Sequence, residues 1–137
     1  PQVDGVIRTL ASVQEPLDAR AMESIVEQHG RLTGLLQKVT TDGKAPRSFA
    51  SKYLHFHHPV VPIYDEYVRQ TITRLVRWDA SLALFPLPPH GDPEYWNYCV
   101  RFLRLYAACQ EAGTTATVKS LDAFLWAVPV PRMNARS

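Results

Sequence analysis

Pro59 and Pro62 constrain this fold more than any other feature of the sequence. They interrupt the stretch "SFASKYLHFHHPVVPIYDEYV", residues 48 to 68. Proline has no backbone donor, and it disfavours the helical region for the residue before it. A helix arriving from Ser48 must therefore end before Pro59, and "PVVPIYD" must be extended. Asp65 is then suited to cap a new helix. The same run holds Ser48, Ser51, Lys52, three histidines and three tyrosines, so the turn in the fold and the densest polar chemistry coincide.

The rest of the chain repeats with the helical period. Val3, Val6, Ile7, Leu10 and Val13 predict a first helix, weakened by Gly5. Met22, Ile25 and Val26 predict a second from about Asp18, and Leu32, Leu35, Leu36 and Val39 a third after a break at Gly30. In "TTDGKAPR", Asp42-Gly43 supplies a reversal and Pro46 suits the first position of a fourth helix. That helix carries Phe49, Tyr53 and Phe56 at i, i+4 and i+7, a stripe expected to point inward. Ser48, Ser51, Lys52, His55 and His58 fall on the opposite stripe. A fifth helix follows Asp65 through Val68, Ile72, Leu75 and Val76. "FPLPPHGDP" reads as a loop, and Asp92-Pro93 opens a long sixth helix, apolar on most sides and expected at the centre. A last helix from near Thr117 is expected to bury Val118, Leu121, Phe124, Leu125 and Trp126. No segment alternates with period two, so the fold class is all-α: one compact domain, residues 1 to 137, of six or seven short helices.

At 137 residues and 46% hydrophobic content the chain can bury a core without disulfides or metals as staples. Cys99 and Cys109 fall on one helix, roughly 15 Å apart at the helical rise, too far to bridge. With no run of about 18 apolar residues and no signal-peptide pattern in "PQVDGVIRTL", a cytoplasmic protein without a membrane partner is expected.

Net charge is only +2, but its distribution is uneven. Residues 44 to 77 carry Lys44, Arg47, Lys52, Arg69, Arg74 and Arg77 against Asp65 and Glu66, so an anionic partner would dock there. His55, His57 and His58 resemble a metal cluster by count. On a helix, however, only His55 and His58 share a face, and a zinc set would need Asp65 or His90 from elsewhere. Packing and hydrogen bonding at a helix end is their expected role, with no metal and no cofactor. Ser48 and Ser51 lack the glycine-framed turn of a nucleophile elbow. Lys52 would serve as a Schiff-base lysine only if burial lowered its pKa.

The quoted segment resembles a motif of small bacterial proteins of poorly defined function, in which a helix ends in an LHF-like triplet and "PIYD" opens the next. That arrangement in turn resembles the core of the helix-hairpin-helix DNA glycosylases. In that comparison "TDGKAP" takes the hairpin place, "RSFASKYLHF" the second helix, "HHPVVPIY" the link and Asp65 the aspartate place, over about residues 31 to 77. The resemblance implies a helix-hairpin-helix-like centre that engages DNA, with Asp65 stabilising an oxocarbenium-like transition state. Two departures matter. Gly43 stands alone where the family has two glycines, and the lyase lysine position falls on Pro46, so base excision without lyase activity is implied.

On this reading Asp65 and Lys52 are the catalytic candidates. His55, His58, Tyr64, Tyr53, Arg47, Arg74 and Arg77 are the binding candidates, with Tyr67 and Trp96 as further stacking rings. The competing expectation is a non-enzymatic protein-interaction module in which Asp65 only caps its helix, worth about 1 kcal/mol, and the LHF and PIYD motifs are structural.

Overall fold

The chain was analysed as a computed structural model that describes residues 2–43 and 45–128. Lys44, counted above in the basic segment, lies outside the described residues. Six α-helices and one short 3-10 turn make up the fold, with no strand among the described residues. In chain order they are α1 (Gln2–Leu10), α2 (Ala19–Gln37), α3 (Arg47–His57), α4 (Glu66–Leu75), the 3-10 turn (Ala80–Leu82), α5 (Pro93–Glu111) and α6 (Val118–Ala127).

Side-chain caps set most of the helix starts. Asp18, Asp65, Asp92 and Thr117 each stand in extended backbone and accept a hydrogen bond from an amide of the first turn. Thr117 and Ser120 complete a reciprocal capping box. Pro46 stands just before α3 rather than in its first turn, and Gly43 makes the reversal in the left-handed region, φ 69°. Helix α5 forms the centre as expected, packing against α2 and α4 and burying Tyr95, Tyr98, Cys99, Val100, Phe102, Leu103 and Tyr106.

Three expectations are corrected. Helix α2 runs unbroken through Gly30, because the glycine there serves a close approach: a Cβ would lie 1.8 Å from the His90 carbonyl oxygen. On α3 the inward residues are Ala50, Ser51 and Leu54, whereas Phe49 is 58% and Phe56 82% exposed. The small side chains of Ala50 and Ser51 let the helix lie close to its neighbours, and that rotates the aromatic stripe outward. On α6 the buried stripe is Val118, Leu121 and Leu125, which leaves Phe124 and Trp126 exposed, with Trp126 stacked on Tyr67 at 4.9 Å. Smaller differences follow the same pattern. Val13 is buried beyond the end of α1, and Leu75 is exposed at the end of α4.

The inverted face of α3 is directly testable. Phe56→Ala should change stability by less than about 1 kcal/mol, while Leu54→Ala should cost about 2–5 kcal/mol. Urea denaturation of the two variants reads the difference.

Candidate functional site

Two of the polar side chains of residues 48 to 58, Ser51 and His55, turn inward onto the proline link. Ser51 is fully buried; its hydroxyl accepts the Tyr64 amide proton at 2.8 Å and donates to the Ser48 carbonyl at 2.9 Å. The His55 Nδ1–H donates to the Val61 carbonyl at 2.8 Å, and the Tyr95 hydroxyl donates to the Pro62 carbonyl at 2.6 Å. His58 Nε2–H donates to the Val13 carbonyl in the loop after α1. Val60, Val61 and Pro62 are buried, so each of these backbone groups would lose about 1–3 kcal/mol if left unpaired. The three histidines therefore diverge. His55 holds the link, His58 reaches the α1 loop, and His57 packs edge-on to Tyr53 at 4.7 Å. Among the described residues no group of three or more His, Cys, Asp or Glu side chains could hold a metal ion.

Asp65 does two things at once. Its Oδ1 accepts the Tyr67 amide at 2.8 Å, capping α4, and its Oδ2 lies 3.5 Å from Lys52 Nζ. Lys52 is more than half exposed, so this ion pair contributes at most about 1 kcal/mol. Asp65 and Lys52 are thus brought together, with His55 in the next turn of α3.

The remaining binding candidates are dispersed. Arg47 forms a two-pronged ion pair with Asp92, through Nε to Oδ2 and through Nη2 to Oδ1 at 2.9 Å, and its guanidinium lies 5.7 Å from the centre of the Tyr64 ring. The hydrogen bond to Asp92 raises the Arg47 pKa further. Burial pushes the Asp92 carboxyl up, but the Arg47 hydrogen bond and the Tyr95 amide outweigh it and hold the group below its usual range. Tyr64 is buried against Tyr98 at 5.5 Å and Tyr95 at 6.4 Å. Arg74 and Arg77 are exposed near the end of α4. Arg69 folds back on Glu66 at 2.6 Å, so its charge is already matched. Tyr53 is half-buried between Phe49, at 6.1 Å, and His57.

Sequence reasoning missed Asp122, Tyr98 and His29. Asp122 Oδ1 and the Tyr98 hydroxyl are buried without a hydrogen-bond partner among the described residues. Burial raises the Asp122 carboxyl pKa and the Asp65 charge raises it further, against an opposing effect of His55. Burial likewise raises the Tyr98 phenol, helped by the charges of Asp122 and Asp65. The available signal was that Asp122 follows Leu121 and precedes Leu125 by three, an acid on the inward stripe of α6. His29 stacks on Tyr95 at 3.7 Å and donates from Nε2 to the Arg47 carbonyl at 3.0 Å, leaving Nδ1 bare and buried. Burial pushes its pKa down to about 4, so the ring is neutral in the folded protein.

Two pH dependences follow. The folded state holds the Asp122 proton more tightly than the unfolded chain does, so this contribution is fully present below the ordinary aspartate pKa and is lost as pH rises through the raised one. Asp122→Asn should therefore raise the melting temperature relative to wild type at pH 7, with the gap closing toward pH 4. His29 has the opposite sign: its contribution is present above the unfolded value of 6.5 and falls away toward about 4. His29→Gln should be less stable than wild type at pH 7 and should lose less stability between pH 6.5 and 4 in chemical denaturation.

No protein-family model, curated protein or solved structure matches this chain.

Proposed function

We propose that the protein is a helical domain that engages nucleic acid, with the outward face of α3 as its contact surface. The observation that carries this reading is the exposed aromatic stripe of that helix. Phe49 and Phe56 stand in solvent, with Tyr53 stacked on Phe49 and His57 edge-on to both Tyr53 and Phe56. Lys52 lies on the same helix, and α3 contains no acidic residue. Rings that stack on unpaired bases, beside cations that attract phosphates, are the chemistry of single-strand binding, where each stacked base is worth about 1–3 kcal/mol. The exposed Arg74, on α4, and Arg77, just beyond its end, add positive potential.

This reading changes the expected role of Arg47, whose guanidinium is already matched by Asp92. Arg74 and Arg77 take its place as the phosphate-attracting groups, with Lys52, whose longer pair with Asp65 at 3.5 Å leaves it more than half exposed. The resemblance to helix-hairpin-helix glycosylases extends the same reading to base excision without lyase activity, with Asp65 as the carboxylate and Lys52 and His55 beside it. A second reading, a non-enzymatic protein-interaction module, is favoured by a different observation. The Ser51, His55 and Tyr64 contacts and one Asp65 oxygen serve the link or the cap, as expected if the LHF and PIYD motifs are structural.

Fluorescence anisotropy with a labelled single-stranded oligonucleotide at low salt tests the proposal. Wild type should bind with marked salt dependence. The double variant Phe49→Ala, Phe56→Ala should bind at least about tenfold more weakly with its circular dichroism unchanged. Reversing Lys52, Arg74 and Arg77 to Glu should flatten the salt slope. Absence of wild-type binding to both single-stranded and duplex DNA sinks the proposal in favour of the interaction module. Incubation with a base-modified oligonucleotide decides the excision step separately: Asp65→Asn keeps the cap and should lower excision at least about a hundredfold.

A further inference from the structure

Away from α3, helices α1 and α2 enclose an open groove of about 750 Å³, within the range of small-molecule sites. None of the residues considered above for nucleic-acid contact lines it. Arg31 and Lys38 stand along its α2 wall, and no acidic residue lines it. Glu27 bridges two lining residues, Arg31 and His90, and engages Arg31 through Nε at 2.8 Å, so among the described residues the two terminal guanidinium nitrogens of Arg31 have no hydrogen-bond partner. Lys38 forms no ion pair among the described residues. The same Glu27 carboxylate binds the His90 amide at 2.9 Å and the His90 ring at 2.7 Å, which fixes the loop that closes one end.

A second hollow of about 570 Å³ shares Gln2, Leu35 and Lys38 with the first and adds Val3 and Val39. Val39 is left largely in solvent, so an apolar surface continues from the charged groove past Lys38. The floor between Arg31 and Lys38 is opened by Gly34, and opposite it by Gly5. A Cβ at either position would meet nothing within 4 Å. Neither packing nor a left-handed backbone requires these two glycines, and each costs its helix about 1 kcal/mol relative to alanine.

We infer that this double groove is a binding site for a small amphiphilic anion, its carboxylate or phosphate held between Arg31 and Lys38 and its apolar tail lying along Leu35, Val3 and Val39. Lys38, together with the two Arg31 donors that the Glu27 pair leaves open, fixes the head, and the valine and leucine surface accepts the tail at about 25 cal/mol per Å² of apolar area covered. The inference stands apart from the reading of α3.

Octanoate and octyl phosphate are the probes, titrated separately into the isotopically labelled protein and followed by amide chemical shifts. Saturable shifts at Gly5, Gly34 and Lys38 are expected, and the tighter of the two probes identifies the head group. Gly34→Leu should abolish the saturable response, and Lys38→Glu should weaken it at least about tenfold. Gly34→Ala should melt at or above the wild-type temperature, since alanine favours the helix and meets no neighbour. No saturable shift with either probe at millimolar concentration overturns the inference. So does equal binding by wild type and a folded Gly34→Leu protein.

Discussion

The ion pair between Arg47 and Asp92 is the junction on which the arrangement depends. It joins the first residue of α3 to the cap of α5 across 45 positions of sequence. Each partner has a second task. Asp92 also accepts the Tyr95 amide at 2.9 Å and so starts the central helix, while the Arg47 carbonyl receives the His29 ring proton from α2. The guanidinium lies over Tyr64, the residue whose amide is held by Ser51. Four parts of the chain, α2, α3, the proline link and α5, therefore meet at two charged side chains. Removing one partner leaves the other half-buried and unmatched, a loss larger than the net worth of the pair. The charge that sequence composition offers to an external anion is here an internal fastener.

The link from His58 to Tyr64 depends on a second device of the same kind. Its prolines remove two donors; the link opens with a turn, closed by the Val61 amide on the His58 carbonyl at 3.1 Å, rather than being extended throughout, and then runs beside helices with no strand next to it. Side chains supply the missing partners: Ser51 for the Tyr64 amide, His55 for the Val61 carbonyl and Tyr95 for the Pro62 carbonyl. This accounts for the concentration of serine, histidine and tyrosine around two prolines. A buried backbone without a ladder needs polar side chains in fixed places. The cost of that solution appears on α3. With Ser51 required inside, the helix is rotated so that Phe49 and Phe56 face solvent.

What the sequence revealed was local. Asp65 and Asp92 were legible as caps because a cap is decided by a residue and its next three amides. The end of α3 before Pro59 and the reversal at Gly43 were legible for the same reason. Gly30 was misread as a break because its partner, the His90 carbonyl, is 60 positions away, and no pattern within α2 records that approach. The face of α3, and on α6 the positions of Phe124 and Trp126 though not of Val118, Leu121 and Leu125, were misread because aromatic residues were weighted as core. In both helices smaller residues, Ala50 and Leu54 or Val118 and Leu121, take the inner stripe. Of the candidate site, the pairing of Asp65 with Lys52 was anticipated by their shared segment, whereas the burial of Asp122 beside them needed the docking of α6.

The exposed rings carry the weight of the functional reading because the fold gives them no task. An aromatic side chain moved from the core to the surface costs its burial energy, which a domain with only about 5–15 kcal/mol of stability does not lose lightly. Trp126 recovers part of this by stacking on Tyr67. Phe49 and Phe56 have no polar handle, and their ring contacts are with other residues of the same outward stripe. A contiguous apolar stripe on a helix without acidic residues is costly in water and favourable against flat, electron-rich rings bordered by phosphate. That asymmetry, rather than the total of basic residues, is the physical ground for proposing α3 as a contact surface.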